Sequence, residues 1–344
     1  MTVRIGLIGY GFGGRRFHAP FIASASGCAL AGVVTRSPER RAELERDHPG
    51  VPAYDSLAEV AAAGVDALVI TTPASTHTAL TLEAIELGLP VVCDKPFALD
   101  AAAARETVQA AERAGVLISV YQNRRWDSDF LTVRRLLEAG ALGAVSRFES
   151  RFEIFRPVEG APPAGGGTLR DFGSHLFDQA LLLFGPVRSV YAELSMREGG
   201  LDDGFFAALR HCGGVASHLT GSWAQGAPGP RFRVAGSAGA YVIGRGDGQG
   251  EAVVAGRSPA GEAWGVEPRE RWGELRRGDS VEPVRSERGR WDAYYPAFAA
   301  AVRGEGPVPV DPWDAVAALE VLDAARLSAT RGAVVEVAGL TSRP

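Results

Sequence analysis

Along the first 120 residues, short apolar runs alternate with longer stretches of helical period. The apolar runs predict strands at 3–8, 30–34, 67–71, 90–93 and 116–120, with helices near 13–25, 38–47, 75–88 and 100–114. Strands that are apolar throughout and separated by helices imply a parallel sheet covered on both faces, the doubly wound α/β arrangement. After Tyr121 the pattern changes. A helix at 127–139 is followed by strand-like segments at 145–155, 187–194, 204–209, 215–221, 231–235 and 240–243. Strands largely in series with few helices predict an antiparallel or mixed sheet, an α+β domain. Residues 244–290 are rich in Gly, Arg and Glu and read as excursions from that sheet, with helices following at 291–303 and 311–330. The expected domains are therefore 1–121 and 122–344.

The first strand runs into Gly9-Tyr10-Gly11-Phe12-Gly13-Gly14. A GxGxxG pattern carries little by itself, but placed after an apolar strand and at the start of a helix it predicts dinucleotide binding. The glycines permit the tight turn and close approach of backbone to a pyrophosphate, and the helix N-terminus supplies N–H donors. An NAD site usually carries an acid at the end of the second strand. Here Thr35 holds that position, followed by Arg36, Ser37 and Arg40, which suit a 2′-phosphate. The expectation is NADP in preference to NAD; the competing reading makes these arginines the solvated start of a helix.

Composition changes this picture at one residue. Of 36 basic residues, one, Lys95, is lysine and the rest are arginine. Arginine replaces lysine wherever only charge is needed, but not where an amine must exchange a proton. Lys95 directly follows the strand at 90–93, on the edge where open α/β sheets place ligands, and Pro96 restricts its backbone. A second cluster is Gly165-Gly166-Gly167 leading to Asp171, His175 and Asp178. In a helix starting near 171 these three lie near one face, where a carboxylate fixes a histidine tautomer and raises its basicity. The alternative is an ordinary helix start with an acid in its first turn. Two acids and one histidine are a weak metal signal, and no metal is expected.

The remaining arithmetic excludes classes. The chain has 344 residues and a net charge of −5, which argues against nonspecific nucleic-acid or anionic-membrane binding. Three separated cysteines suggest neither a disulfide framework nor a zinc site. No signal peptide or membrane span is expected, so the anticipated location is the cytoplasm.

These motifs together resemble the Gfo/Idh/MocA family of oxidoreductases over nearly the whole chain, in the branch that includes NADP-dependent scyllo-inositol dehydrogenases. The resemblance rests on the glycine loop followed by Phe17-His18-Ala19-Pro20, on Thr72-Pro73-x-x-x-His77, on Asp94-Lys95-Pro96, on 121–127 (YQNRRWD), and on the Gly-rich segment with Asp171, His175 and Asp178. It implies hydride transfer between nicotinamide C4 and a sugar, inositol or related polyol or ketone. It implies Lys95, Asp171 and His175 as the catalytic set. Thr72, Pro73 and His77 would lie along the cofactor, with Asn123 near the nicotinamide and Asp94 near its ribose. Asp178 would bind a substrate hydroxyl or brace His175, and Trp126 and Arg151 are substrate candidates. Most of the family has Glu where this chain has Asp94, one methylene shorter. The alternative is a non-catalytic NADP sensor or scaffold; a methyltransferase is disfavoured by the long second domain. The resemblance also implies an open, mostly antiparallel sheet in the second domain, whose uncovered face predicts a homodimer or homotetramer.

Overall fold

In the computed structural model, which describes residues 1–157 and 166–337, the N-terminal strands are β1 (Val3–Ile8), β2 (Cys28–Val34), β3 (Ala53–Tyr54), β4 (Ala67–Ile70), β5 (Val91–Cys93) and β6 (Ile118–Val120). They form a parallel sheet in the order β3-β2-β1-β4-β5-β6. Its central strands are buried along nearly their whole length, as expected where helices cover both faces. The connecting helices are α1 (Ala19–Ser24), α2 (Pro38–Asp47), α3 (Leu57–Ala62), α4 (His77–Glu86) and α5 (Ala101–Ala114). Local chemistry sets their ends: Ser37 and Asp100 cap α2 and α5 through backbone N–H groups three residues on, and Gly115 closes α5 at φ +66°. The pairings Ile8 with Val34, Ile8 with Ile70, Ile70 with Cys93 and Cys93 with Val120 align the strand ends. Thr35, Gly9, Thr71, Asp94 and Tyr121 consequently follow one another along a single sheet edge.

The described residues fall into two compact units. The first contains 1–123 together with 249–264 and 290–315, whereas the sequence pattern assigned everything after 121 to the second domain. Buried aromatic contacts account for the difference. Tyr294 donates a hydrogen bond to the Val120 carbonyl at 3.0 Å, and Ser119 donates to Val310 at 3.0 Å. The Tyr121 ring lies 4.8 Å from Tyr294 and 5.9 Å from Tyr295. Each such pair contributes roughly 0.5–1.5 kcal/mol beyond the area it buries.

The second unit contains 124–248, 265–289 and the residues from 316 onward. Its elements are α6 (Ser128–Glu138), β7 (Val145–Glu153), α7 (Thr168–Asp171), α8 (Gly173–Phe184), β8 (Val187–Met196), β9 (Asp202–His211), β10 (Ala216–Ser222), β11 (Phe232–Gly236), β12 (Gly239–Ile243), β13 (Gly273–Arg277), β14 (Ser280–Val284) and β15 (Val335–Glu336), with the part from 316 onward of a long helix at Pro312–Arg331. The nine strands lie in the order β14-β13-β12-β11-β7-β10-β9-β8-β15. Among the described residues of this sheet, only β7 and β10 pair in parallel. In β9, Phe205, Ala207 and Leu209 are buried while Phe206, Ala208 and Arg210 are partly or fully exposed, the alternation of a sheet covered on one face. Beneath the covered face, buried Arg231 ties three elements together: it donates to Ser150 of β7 at 2.8 Å and to Gln179 of α8 at 2.9 Å, and pairs with Asp129 of α6 at 3.3 Å.

Candidate active site

In the first unit the glycine loop has the shape of an anion cradle. Gly9 has φ +100°, a conformation side chains rarely adopt. A Cβ at Gly14 would collide with the Gly9 carbonyl and the Thr71 hydroxyl, and that hydroxyl already donates to Gly9 at 2.9 Å. At Gly11, by contrast, a Cβ would meet only the Arg40 guanidinium, at 3.9 Å. The loop is thus tight on its inner side and open above, with exposed Phe12 at its tip. A pyrophosphate fits these residues. The helix behind the loop begins with a wide turn over Gly14–His18, in which Ala19 N–H reaches back five residues to Gly14.

At the end of β2, Thr35 is buried and no acid takes its place. Ser37 spends its side chain capping α2. Arg36 donates to the Asp55 carbonyl at 2.9 Å. Arg40 is exposed, points over the glycine loop and has no ion pair among the described residues.

Lys95 follows β5 on the same edge, and its peptide bond to Pro96 is cis. Two histidines hold this segment. His77, which the resemblance laid along the cofactor, is 1% exposed, and its ring nitrogens face the Thr72 and Pro96 carbonyls, both at 2.8 Å. A carbonyl only accepts, so both nitrogens donate and the ring is an imidazolium. Burial opposes that charge, but the Cys93 sulfur, the Asp94 carboxylate and the Pro96 carbonyl outweigh it and raise the pKa to about 9. His77 therefore joins two loops rather than presenting its ring to a ligand.

On the other side, Asp94 accepts from the Lys95 N–H at 2.8 Å through Oδ1, while Oδ2 lies 3.4 Å from His18 Nε2. Burial pushes this carboxyl up, but facing His18, Lys95 and His77 bring it below the usual carboxylate range. Sequence reasoning gave His18 no role beyond its motif. Asn123 is buried at the end of this unit's first segment.

In the second unit, Gly165 lies outside the described residues. Gly166 and Gly167 have φ +72° and +94°, and a Cβ on Gly167 would run into the Asp202 carboxylate. That carboxylate accepts the Leu169 N–H at 2.5 Å and so caps α7. The expected single helix from 171 is divided at Phe172, whose backbone stays helical. His175 N–H bonds the Phe172 carbonyl, a tightened step, and Asp171 remains one turn before His175. His175 is buried; Asp171 is half-buried. The Asp178 carboxylate, a candidate for a substrate hydroxyl, is buried and held by both arms of Arg125, at 2.8 and 2.5 Å. The next residue, Gln179, donates to the Arg124 carbonyl. Arg151 is shared with Glu149 at 3.2 Å, and Trp126 is half-buried. The bracing by Arg125 and the cap from Asp202 were invisible in sequence, because each partner lies more than 30 residues away.

Among the described residues, no group of three or more His, Cys, Asp or Glu side chains could hold a metal ion, and no helix is long and apolar enough to cross a membrane.

Comparison with known proteins agrees with this geometry. Residues 3–122 match an oxidoreductase family with an NAD-binding Rossmann fold, and 130–242 match the GFO/IDH/MocA C-terminal domain. The uncharacterized oxidoreductase YdgJ of Escherichia coli is 37% identical, over 94% of this chain and 95% of its own length. The scyllo-inositol 2-dehydrogenase (NADP(+)) IolW of Bacillus subtilis is 31% identical, over 94% and 93%. The crystal structure of an oxidoreductase from Bacillus cereus superposes with a TM-score of 0.89 at 26% identity, covering 99% of this chain and all of that one.

Proposed function

Because the chain belongs to the Gfo/Idh/MocA family of oxidoreductases, we propose that it is a cytoplasmic NADP-dependent dehydrogenase or reductase. It interconverts an alcohol and a ketone on a sugar, an inositol or a related polyol. The observation that carries this reading is the open glycine cradle on the same sheet edge as Lys95. When bound there, the nicotinamide supplies a hydride acceptor or donor.

The chain's own residues do the rest. Gly11, Phe12, Gly13 and Gly14 line the phosphates with backbone N–H groups, and Gly9, whose N–H bonds the Val34 carbonyl at 3.0 Å, makes the turn beneath them. Arg40, with Arg36 and Ser37 beside it, meets a 2′-phosphate where Thr35 leaves no acid to repel it. Thr72 and Pro73 flank the dinucleotide, with Asn123 on the nicotinamide side. Lys95 hydrogen-bonds the reacting oxygen and stabilises the charge that develops on it. His175 takes the hydroxyl proton in oxidation and returns it in reduction, and Asp171 orients its ring. Asp178, engaged by Arg125, braces α8, while Trp126 and Arg151 contribute substrate contacts.

The test is NADP-linked oxidation over a panel of inositols, aldoses and deoxysugars. Turnover of at least one polyol is expected. Tight NADPH binding with no turnover on any of them would point instead to a non-catalytic sensor.

A further inference from the structure

His18 is fully buried, carries a titratable ring and has no part in the chemistry proposed above. It ends the wide turn of Gly14–His18, a kind of irregularity frequently found at functional sites. Its ring is packed 4.1 Å from Tyr121, whose hydroxyl is held by the Phe17 carbonyl at 2.9 Å. Nδ1 lies 2.6 Å from the Tyr295 hydroxyl. Nε2 is buried with no hydrogen-bond partner; Asp94 Oδ2 stands 3.4 Å away, beyond a made bond. An orphaned polar atom so deep in a protein costs stability and calls for a reason.

The Tyr295 hydroxyl, 2.6 Å from Nδ1, bears on which nitrogen of His18 carries the proton. Burial and the nearby Tyr121, Tyr294 and Asp94 hold this phenol far above its ordinary pKa, so it keeps its hydrogen. His18 Nδ1 is its one hydrogen-bonding contact among the described residues. A phenol that donates this hydrogen to Nδ1 places the ring hydrogen on Nε2, aimed at Asp94. Asp94 in turn holds the Lys95 N–H. A Cβ on Gly13 would come within 3.4 Å of the same Asp94 oxygen, so the carboxylate also borders the glycine loop.

We propose that Tyr295 and His18 are positioning residues for Lys95: the phenol fixes the Nε2–H tautomer, and that N–H closes onto Asp94 when the dinucleotide seats on the loop. Gly13 and Asp94 together form the contact that moves. Catalytic hydrogen bonds are often long before ligand binds and shorten in the complex. This inference rests on the proposed function for its catalytic consequence, but not for the tautomer.

The tautomer is read by long-range nitrogen–proton NMR on histidine-labelled full-length protein, with His18 assigned from the signal lost in His18→Phe. The result expected is a neutral ring protonated on Nε2, with the Nε2 proton moving downfield when NADPH is added. Tyr295→Phe, which keeps the shape, is expected to abolish that fixed tautomer. An imidazolium, an Nδ1–H tautomer, or a Tyr295→Phe protein with an unchanged His18 spectrum would overturn the proposal. These outcomes need no substrate, so they stand if no polyol is turned over. Where turnover is found, kcat should fall about tenfold or more in His18→Phe, with the cofactor KM changed by less than about threefold. His18→Gln, whose amide can still donate, should recover part of the loss. Equal kcat in folded His18→Phe and the native protein would refute the positioning role.

Discussion

Two buried histidines hold the backbone around Lys95, and they differ in their hydrogen-bonding partners. His77 faces two carbonyls and is cationic, whereas His18 Nδ1 faces the Tyr295 hydroxyl. The His77 proton stabilises the fold, because its pKa of about 9 lies above the ordinary 6.5. That contribution is complete below pH 6.5 and is lost as the pH rises through about 9, with a full size on the order of 3 kcal/mol. Between pH 7 and 10, Tm of the native protein should therefore fall more steeply than Tm of His77→Gln; parallel curves would mean the ring is neutral. At the cofactor end, Arg40→Ala should weaken NADPH binding about tenfold, a loss typical of one charge-assisted contact, and leave NADH binding nearly unchanged in fluorescence titrations. Lys95 and the glycine loop were legible from residue type and position alone. Engagement of Asp178 by Arg125 was not, since 53 residues separate the pair and neither carries a local signal.

The helix bearing His175 depends on its entry. Gly167→Ala places a Cβ in left-handed backbone and into the Asp202 carboxylate, displacing the cap of α7. A loss of about 2 kcal/mol or more is expected in urea unfolding. Beneath the sheet, Arg231→Met would leave Asp129 buried without its ion pair, and should cost about 3–5 kcal/mol. The long, periodic elements were readable: α2, α5 and α6 lie within a residue or two of their expected bounds. β3 has two residues and α3 six, too short for a period to emerge. β13 and β14 extend the sheet, yet β14 is largely exposed and contains Pro283. An edge strand with that composition has no apolar face to announce it, so 244–290 looked like loop.

At the level of the whole chain, the parallel sheet and the mixed sheet followed from where apolar runs alternate with helices and where they do not. The return of 290–315 to the first unit did not, because Tyr294 and Tyr295 declare their burial only through partners near 120. On β8 to β10, Tyr191, Phe206 and His218 lie on the side of the sheet that α8 does not cover, each only partly exposed. We propose self-association there, so light scattering should give a mass that is two or four times 36.2 kDa; a monomer at micromolar concentration would remove that proposal. The most direct measurement compares NADP+ reduction by the native protein and by Lys95→Met across the polyol panel, with NADPH affinity measured in parallel. The expected result is turnover of at least one polyol that falls by about 10³-fold or more in Lys95→Met, with NADPH affinity within about threefold of native. Unchanged turnover in Lys95→Met on that same substrate would contradict the assignment of the chain's single lysine to the reacting oxygen.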